Sequence, residues 1–350
     1  MASSSSKISI KGVKWPEWSC DEFPASTIET SLFTHIYYAF LNPSHETYKF
    51  EISDQTAEKL KAFTSTLHSN KPTVNVLLSI GGWGVVGELA ETYARMASSS
   101  SSRWDFINSS IKVARDYNFD GIDFDWEFPK NQAEMDQLGC LFHEWRAMID
   151  TDAKGRTPLS LSASAFYRPE CYDHDQLYPI ESMNKNLDYI NLMCYNYYGS
   201  WDTKTTGNHA ALFNRKCKEI STSYGIESWI EKGAQKSKLI MGLPLFGRTF
   251  KLKDRNNHGI GDPAIGVGPG KDGYLPYKEI VNFNSSRNAT VIYDENSQST
   301  YSYVDSHWIG YDDERSIKKK LEFAKEKELG GYFFFAIGFD EHWQLSKAGA

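Results

Sequence analysis

The chain reads as an α/β protein, a (β/α)8 TIM barrel with a small α+β insertion after its seventh strand. Three observations predict this. Eight short apolar runs recur along the 350 residues. Amphipathic helical stretches with charged outer faces lie between them, and one segment, 251–306, breaks the rhythm. Near-continuous apolar strands alternating with helices belong to a parallel sheet covered on its outside. Eight such units closing on themselves make a barrel whose active site lies at the C-terminal ends of the strands. An open doubly wound sheet is the rival, but no glycine-rich phosphate loop follows the first run.

In chain order, Ile8–Trp15 and Thr34–Leu41 open the series, and Ala57–Leu67 follows with apolar residues spaced three and four apart. Val74–Ile80 is the third strand, with the helical stretch Arg103–Tyr117 behind it. Gly121–Trp126 is the fourth, followed by helical Gln132–Thr151. Leu159–Ala165, Tyr189–Tyr195 and Leu239–Pro244 continue the strands. The segment 251–306 has no strong helix but holds Gly/Pro-rich turns and the β-leaning pieces Ala289–Tyr293 and Ser299–Val304. Its Tyr, Val and Ile content argues for a folded unit, expected to wall one side of the groove. Residues 1–250 and 307–350, including helical Arg315–Lys327 and the last strand Tyr332–Ile337, complete the expected barrel.

Composition narrows the function classes. Net charge is −7 with no basic block, which argues against nucleic acid and against anionic membranes as partners. No run of 18 apolar residues suits a membrane span, and the Ser-rich lead Met1–Ser6 has no apolar core of a signal peptide. A monomer is expected. The 10 Trp, 20 Tyr and 20 Phe suit sugar binding as well as core packing. The cysteines Cys20, Cys140, Cys171, Cys194 and Cys217 are too few and dispersed for a disulfide scaffold or zinc site. Cys140 and Cys194 read as buried thiols. No cofactor and no metal are expected.

The most informative stretch is Asp120-Gly121-Ile122-Asp123-Phe124-Asp125-Trp126-Glu127. Strand side chains alternate faces, so Asp123, Asp125 and Glu127 point the same way, with neighbours roughly 6–7 Å apart. Ile122, Phe124 and Trp126 face the opposite side. Like charges stacked on an inward face are costly, and each ionised neighbour raises the pKa of the next. A solvated acidic edge strand is the bland alternative, but both flanks are apolar and no Lys alternates with the acids. Asp120 is out of phase and is expected to order the turn into the strand.

With Ser79-Ile80-Gly81-Gly82 before Trp83, Met193-Cys194-Tyr195, and Gly247-Arg248 closing the seventh strand, the chain resembles glycoside hydrolase family 18. Within that family it is similar to plant class V chitinases and their relatives, including chitinase-related lectins and lipo-chitooligosaccharide hydrolases. The resemblance spans nearly the whole chain. It implies the same barrel and insertion, and substrate-assisted retaining cleavage of β-1,4-linked N-acetylglucosamine oligomers. In that scheme Glu127 is the general acid on the glycosidic oxygen. The substrate's 2-acetamido oxygen attacks the anomeric carbon and gives an oxazolinium ion. Asp125 holds the acetamido N–H and shares a proton with Asp123, while Tyr195 donates to the acetamido group. Trp83 stacks on a sugar, and Gly82, Phe40, Met193, Asn196, Arg248 and Phe335 are the further substrate-binding candidates. The partner implied is a chito-oligosaccharide or related glycan, and the compartment implied is extracellular or vacuolar.

On the residues alone the bland readings stay open. Ser79, Gly81 and Gly82 also make a tight turn, Trp83 also caps a core, Tyr195 also packs, and Arg248 also forms a structural ion pair. Three positions depart from the family. Asn196 stands where Asp is usual, Phe335 where a Trp usually lies beneath the cleaved sugar, and Lys14 where an aromatic is common. Two functions are therefore carried: a hydrolase with narrowed specificity, and, as the alternative, a weak or inactive chitinase-like lectin.

Overall fold

The computed structural model describes residues 9–83, 88–171 and 176–349. The lead Met1–Ser6 and Ile8 of the first expected strand lie outside them. Eight parallel strands close into a barrel in chain order: β1 Ile10–Pro16, β2 His35–Leu41, β3 Asn75–Gly81, β4 Gly121–Asp125, β5 Ser160–Phe166, β6 Tyr189–Met193, β7 Leu239–Pro244 and β8 Gly331–Phe335. Register places Ser79 beside Asp123 and Asp123 beside Ser162, so three neighbouring strands present polar side chains at one level of the barrel.

The helices on the outside begin where the sequence supplies a cap. Ser53 accepts from the Thr56 amide at the start of α1 (Asp54–Ser69), and Ser99 accepts from Ser102 ahead of α3 (Ser100–Asp116). Asn131 caps α4 (Gln132–Asp152), and Asp313 with Ser316 forms a reciprocal capping box on Glu314–Glu326. The short helix α2 is Glu88–Ala97. These helices cover the outward residues of the strands. Phe124 lies 5.7 Å from Phe106 of α3 and 5.6 Å from Trp145 of α4, ring centre to ring centre. Ile122, Phe124 and Trp126 are all buried in this shell, each contributing on the order of 1.5–3 kcal/mol by its removal from water. That outer packing fixes which face of β4 turns inward, and so it orients the acids.

A second sheet follows β7. Phe246–Leu252 pairs antiparallel with Ala264–Val267, Tyr274–Pro276 and His307–Tyr311. Ser299–Val304 joins His307–Tyr311 to Thr290–Asp294, and the helix Tyr277–Arg287 lies between the strands in sequence. Residues 246–250 and 307–311 therefore pair in this sheet and not in the barrel. Gly247-Arg248 accordingly opens the insertion, whereas the sequence pattern had it closing the seventh strand. The chain reverses after Pro244, and the Phe246–Leu252 backbone finds its partners in the insertion.

Cys194 is buried, but Cys140 is exposed. Its flanking residues Gly139 and Leu141 face the core, and the helical turn rotates Cys140 to the solvent side of α4.

Candidate active site

The acids owe their position to the end of β3. Gly81 has φ +122°, and a Cβ there would stand 2.0 Å from the Asp125 carbonyl oxygen. Gly82 has φ +85°, donates its N–H to that same carbonyl at 2.8 Å, and is covered by the Phe40 ring. Both glycines therefore serve the tight turn, and the turn locks the backbone of Asp125. Ser79 does more than turn the chain: its Oγ donates to Asp123 Oδ2 at 2.7 Å.

Asp123 is fully buried. Besides Ser79 it accepts from Ser162 Oγ at 2.8 Å and Asn191 Nδ2 at 3.0 Å, both on Oδ1. Lys14 reaches in from β1, also buried, with Nζ 3.4 Å from Asp123 Oδ2 and 2.5 Å from Asp125 Oδ2. It donates as well to Ser164 Oγ at 3.0 Å and stands 4.9 Å from the Phe40 ring centre. Asp123 and Asp125 were expected to share a proton; the structure puts an ammonium against both carboxylates. Burial alone would lower the Lys14 pKa, but Asp125 and then Asp123 hold it above the usual lysine range. Burial, assisted by Asp123, raises Asp125 above an ordinary carboxylate, with Lys14 pulling the other way. Asp125 Oδ1 is buried and meets no N–H or hydroxyl among the described residues, and the Asp125 side chain is hydrogen-bonded to the Glu127 carboxyl.

Glu127 lies two residues beyond the end of β4 and is only half-buried. Its carboxyl is pushed well above the usual range, first by desolvation and then by the Asp125 charge, against the opposing pull of Lys14. Tyr195 is buried, and its hydroxyl is driven well above its ordinary pKa by burial and then by Asp125 and Glu127, so it remains a donor.

The apolar floor is aromatic. Phe335, at the end of β8, lies 6.0 Å from Tyr195 and 6.3 Å from Phe246. Met193 belongs to the same cluster. On the opposite side Trp18 stacks on Phe40 with ring centres 6.3 Å apart, and Trp18 and Trp83 are 60% and 56% exposed. Side chains that large, left in water, suit a sugar face better than a core.

Asn196 is exposed, with φ +64°. Its Oδ1 accepts from Arg248 Nε at 3.0 Å and Nη2 at 2.9 Å, while Arg248 stands 5.1 Å from the Trp201 ring centre and 5.3 Å from that of Tyr274. Arg248 thus meets an amide where a carboxylate would make an ion pair. Beneath it, buried His209 accepts the Asn196 N–H on Nδ1 at 3.4 Å and donates Nε2–H to the Phe246 carbonyl at 3.1 Å. Burial and then the Arg248 charge push His209 well below the usual histidine range, consistent with that neutral tautomer. Asp120 stands outside the site: its Oδ2 accepts from the Val76 amide at 2.8 Å and bonds His68 at 2.9 Å, tying β3 to the start of β4.

Sequence reasoning missed Ser162, Ser164, Asn191 and His209, and read Lys14 as a departure without giving it a place among the acids. The available signal was a polar residue inside an apolar strand, as in Tyr189-Ile190-Asn191-Leu192-Met193. Among the described residues no group of three or more His, Cys, Asp and Glu is arranged to hold a metal ion.

The sequence profile of glycosyl hydrolases family 18 matches residues 12–340. Nod factor hydrolase protein 1 of Medicago truncatula is 43% identical over 348 residues, covering 97% of this chain and 89% of that protein. The crystal structure of a GH18 chitinase from Cycas revoluta in complex with (GlcNAc)3 superposes with a TM-score of 0.92 at 38% identity, over 97% of this chain and 98% of that one. The chitinase-like agglutinin of Robinia pseudoacacia has a TM-score of 0.89 at 37% identity, again over 97% and 98% of the two chains. The chain belongs to glycosyl hydrolases family 18.

Proposed function

We propose that this family 18 hydrolase cleaves β-1,4-linked N-acetylglucosamine oligomers, plain or lipid-decorated, by a substrate-assisted retaining route. The observation that carries the reading is Glu127: a half-buried carboxyl at the barrel mouth, held protonated by desolvation and by the charge of Asp125 behind it. A general acid needs that raised pKa to keep its proton until the leaving oxygen takes it. Glu127 protonates the glycosidic oxygen as the C1–O bond breaks, and the acetamido carbonyl oxygen closes on C1 to form the oxazolinium ion. Glu127, now a carboxylate, then takes a proton from the water that opens the ring, which restores the acid and retains the anomeric configuration. Asp125 Oδ1 receives the acetamido N–H, and the Tyr195 hydroxyl donates to the acetamido oxygen. Trp83, Trp18 and Phe40 are aromatic platforms for sugars, Phe335 and Met193 floor the cleavage subsite, and Asn196 with Arg248 borders it.

The insertion sheet serves as the wall of the groove on the side of Arg248 and Tyr274. We infer a monomeric chain acting in an extracellular or vacuolar compartment, on family resemblance; no helix among the described residues is long and apolar enough to cross a membrane. Relatives support the substrate class, since one is a Nod factor hydrolase and a solved structure is a complex with (GlcNAc)3. The deciding assay incubates the protein with N-acetylglucosamine tetramers, pentamers and lipid-decorated versions and follows products by mass spectrometry, with proton NMR on the fresh anomer. β-Configured product is expected. Binding of these oligomers with no product from any of them gives the chain to the lectin class represented by the Robinia agglutinin.

A further inference from the structure

We propose that Lys14 is a positioning residue for this hydrolysis: it clamps Asp125 by Oδ2, leaves Oδ1 as the acceptor for the acetamido N–H, and replaces the proton two adjacent buried aspartates would otherwise share. This inference rests on the hydrolase reading above, and it adds a part that the family scheme does not contain.

The geometry carries it. Lys14 Nζ is 1% exposed as a residue and contacts Asp125 Oδ2, Ser164 Oγ and Asp123 Oδ2 at 2.5, 3.0 and 3.4 Å. The Asp123 carboxyl accepts from Ser79, Ser162 and Asn191 and has Lys14 Nζ 3.4 Å from Oδ2. Lys14 holds Asp125 by Oδ2, while Oδ1 is buried and meets no N–H or hydroxyl among the described residues; the Glu127 carboxyl is hydrogen-bonded to the Asp125 side chain.

Charge leads to the same place. Two neighbouring carboxylates in a dry cavity cannot both ionise without compensation, and one ordinarily keeps a proton. Two carboxylates plus one ammonium leave one net negative charge, the same as two carboxyls sharing one proton. The difference lies in titration: a shared proton is lost as pH rises through the pair's own range, whereas the ammonium, held above the usual lysine range, stays. The other titratable groups facing this cluster are Glu127 at the end of β4, Tyr37 on β2, Tyr93 on α2, Tyr178 ahead of β6, Tyr189 on β6 and Tyr195 just beyond it. Burial holds each of these hydroxyls above its usual range, so they stay neutral while the acids titrate.

The test compares wild type with Lys14→Met. Without the ammonium, the Asp125 proton binds at higher pH, so the acid limb of kcat/KM moves up by about one pH unit or more. kcat below neutrality falls roughly tenfold or more, while KM stays within about threefold, because the loss is in holding the acetamido group for attack. Infrared spectroscopy of the resting protein is the second measurement. At neutral pH the wild type is expected to show no protonated-carboxyl band beyond the one that Glu127→Gln removes, and Lys14→Met is expected to gain a second. The proposal is overturned if that second band is already present in wild type, or if a folded Lys14→Met keeps its acid limb within about 0.3 pH unit. Should Lys14→Met not fold, the wild-type spectrum decides alone. It needs no turnover, so it stands apart from failure of the hydrolase reading.

Discussion

Arg248 spends two of its donors on a single oxygen, the Oδ1 of Asn196, at 3.0 and 2.9 Å. This chain holds its arginine by a neutral amide, and the backbone of that amide is in turn braced by His209. This corner carries the arginine's positive charge with no carboxylate against it.

Supplying a carboxylate there is expected to strengthen the site. Asn196→Asp places a carboxylate against Arg248, which lowers the carboxyl pKa, so the gain is present at neutral pH and is lost as pH falls through that lowered value. kcat/KM should rise roughly three- to tenfold near neutrality, with the advantage over wild type vanishing in acid. Steady-state kinetics across pH decides this; an unchanged kcat/KM throughout would remove Asn196 from transition-state stabilisation.

Glu127→Gln keeps shape and removes the proton donor. Turnover should fall by about 10²–10⁴-fold, while calorimetry with the N-acetylglucosamine tetramer gives a Kd within a few-fold of wild type. In wild type the raised Glu127 pKa places the alkaline limb of kcat well above the ordinary carboxylate range, because the acid works only while protonated and is lost as pH rises through that value. An alkaline limb near an unperturbed glutamate pKa would contradict this.

Phe335→Trp enlarges the platform beneath the cleaved sugar and adds an indole N–H. With Tyr195 and Phe246 about a ring diameter away, the gain is put at about 0.5–1.5 kcal/mol, or a two- to tenfold drop in KM with little change in kcat. A rise in KM would show the larger ring displacing Tyr195.

Gly81→Ala tests the floor of the site. The added Cβ meets the Asp125 carbonyl at 2.0 Å in a backbone region closed to most side chains. A loss of at least about 3 kcal/mol in denaturant unfolding is expected, with activity reduced even in the folded fraction because Asp125 must shift. Near-wild-type stability would mean that the turn relaxes freely.

Periodicity explains how much could be read in advance. The alternation Asp123, Asp125, Glu127 against Ile122, Phe124, Trp126 is a local property of extended backbone, and the structure keeps it: the apolar members are buried in the outer shell, Phe124 against α3 and α4 and Trp126 against Tyr93 of α2, and the first two acids are buried. The helical stretches Ala57–Leu67, Arg103–Tyr117, Gln132–Thr151 and Arg315–Lys327 are equally local, but apolar spacing did not mark the caps Ser53, Ser99, Asn131 and Asp313 that start them. Phe246–Leu252 was harder to assign, because a strand beside a barrel strand carries no mark of which sheet will take it.

The sequence by itself determined eight apolar strands, their helical cover, and a row of acids on one face of the fourth, since each depends only on residues a few positions apart. Only the closed barrel decided what those acids touch. Lys14 meets Asp125 across 111 residues and Asn191 meets Asp123 across 68, and a one-residue change of register would turn either side chain to the outer face. Charge compensation inside the site is thus a product of strand register around a ring, which no single segment encodes.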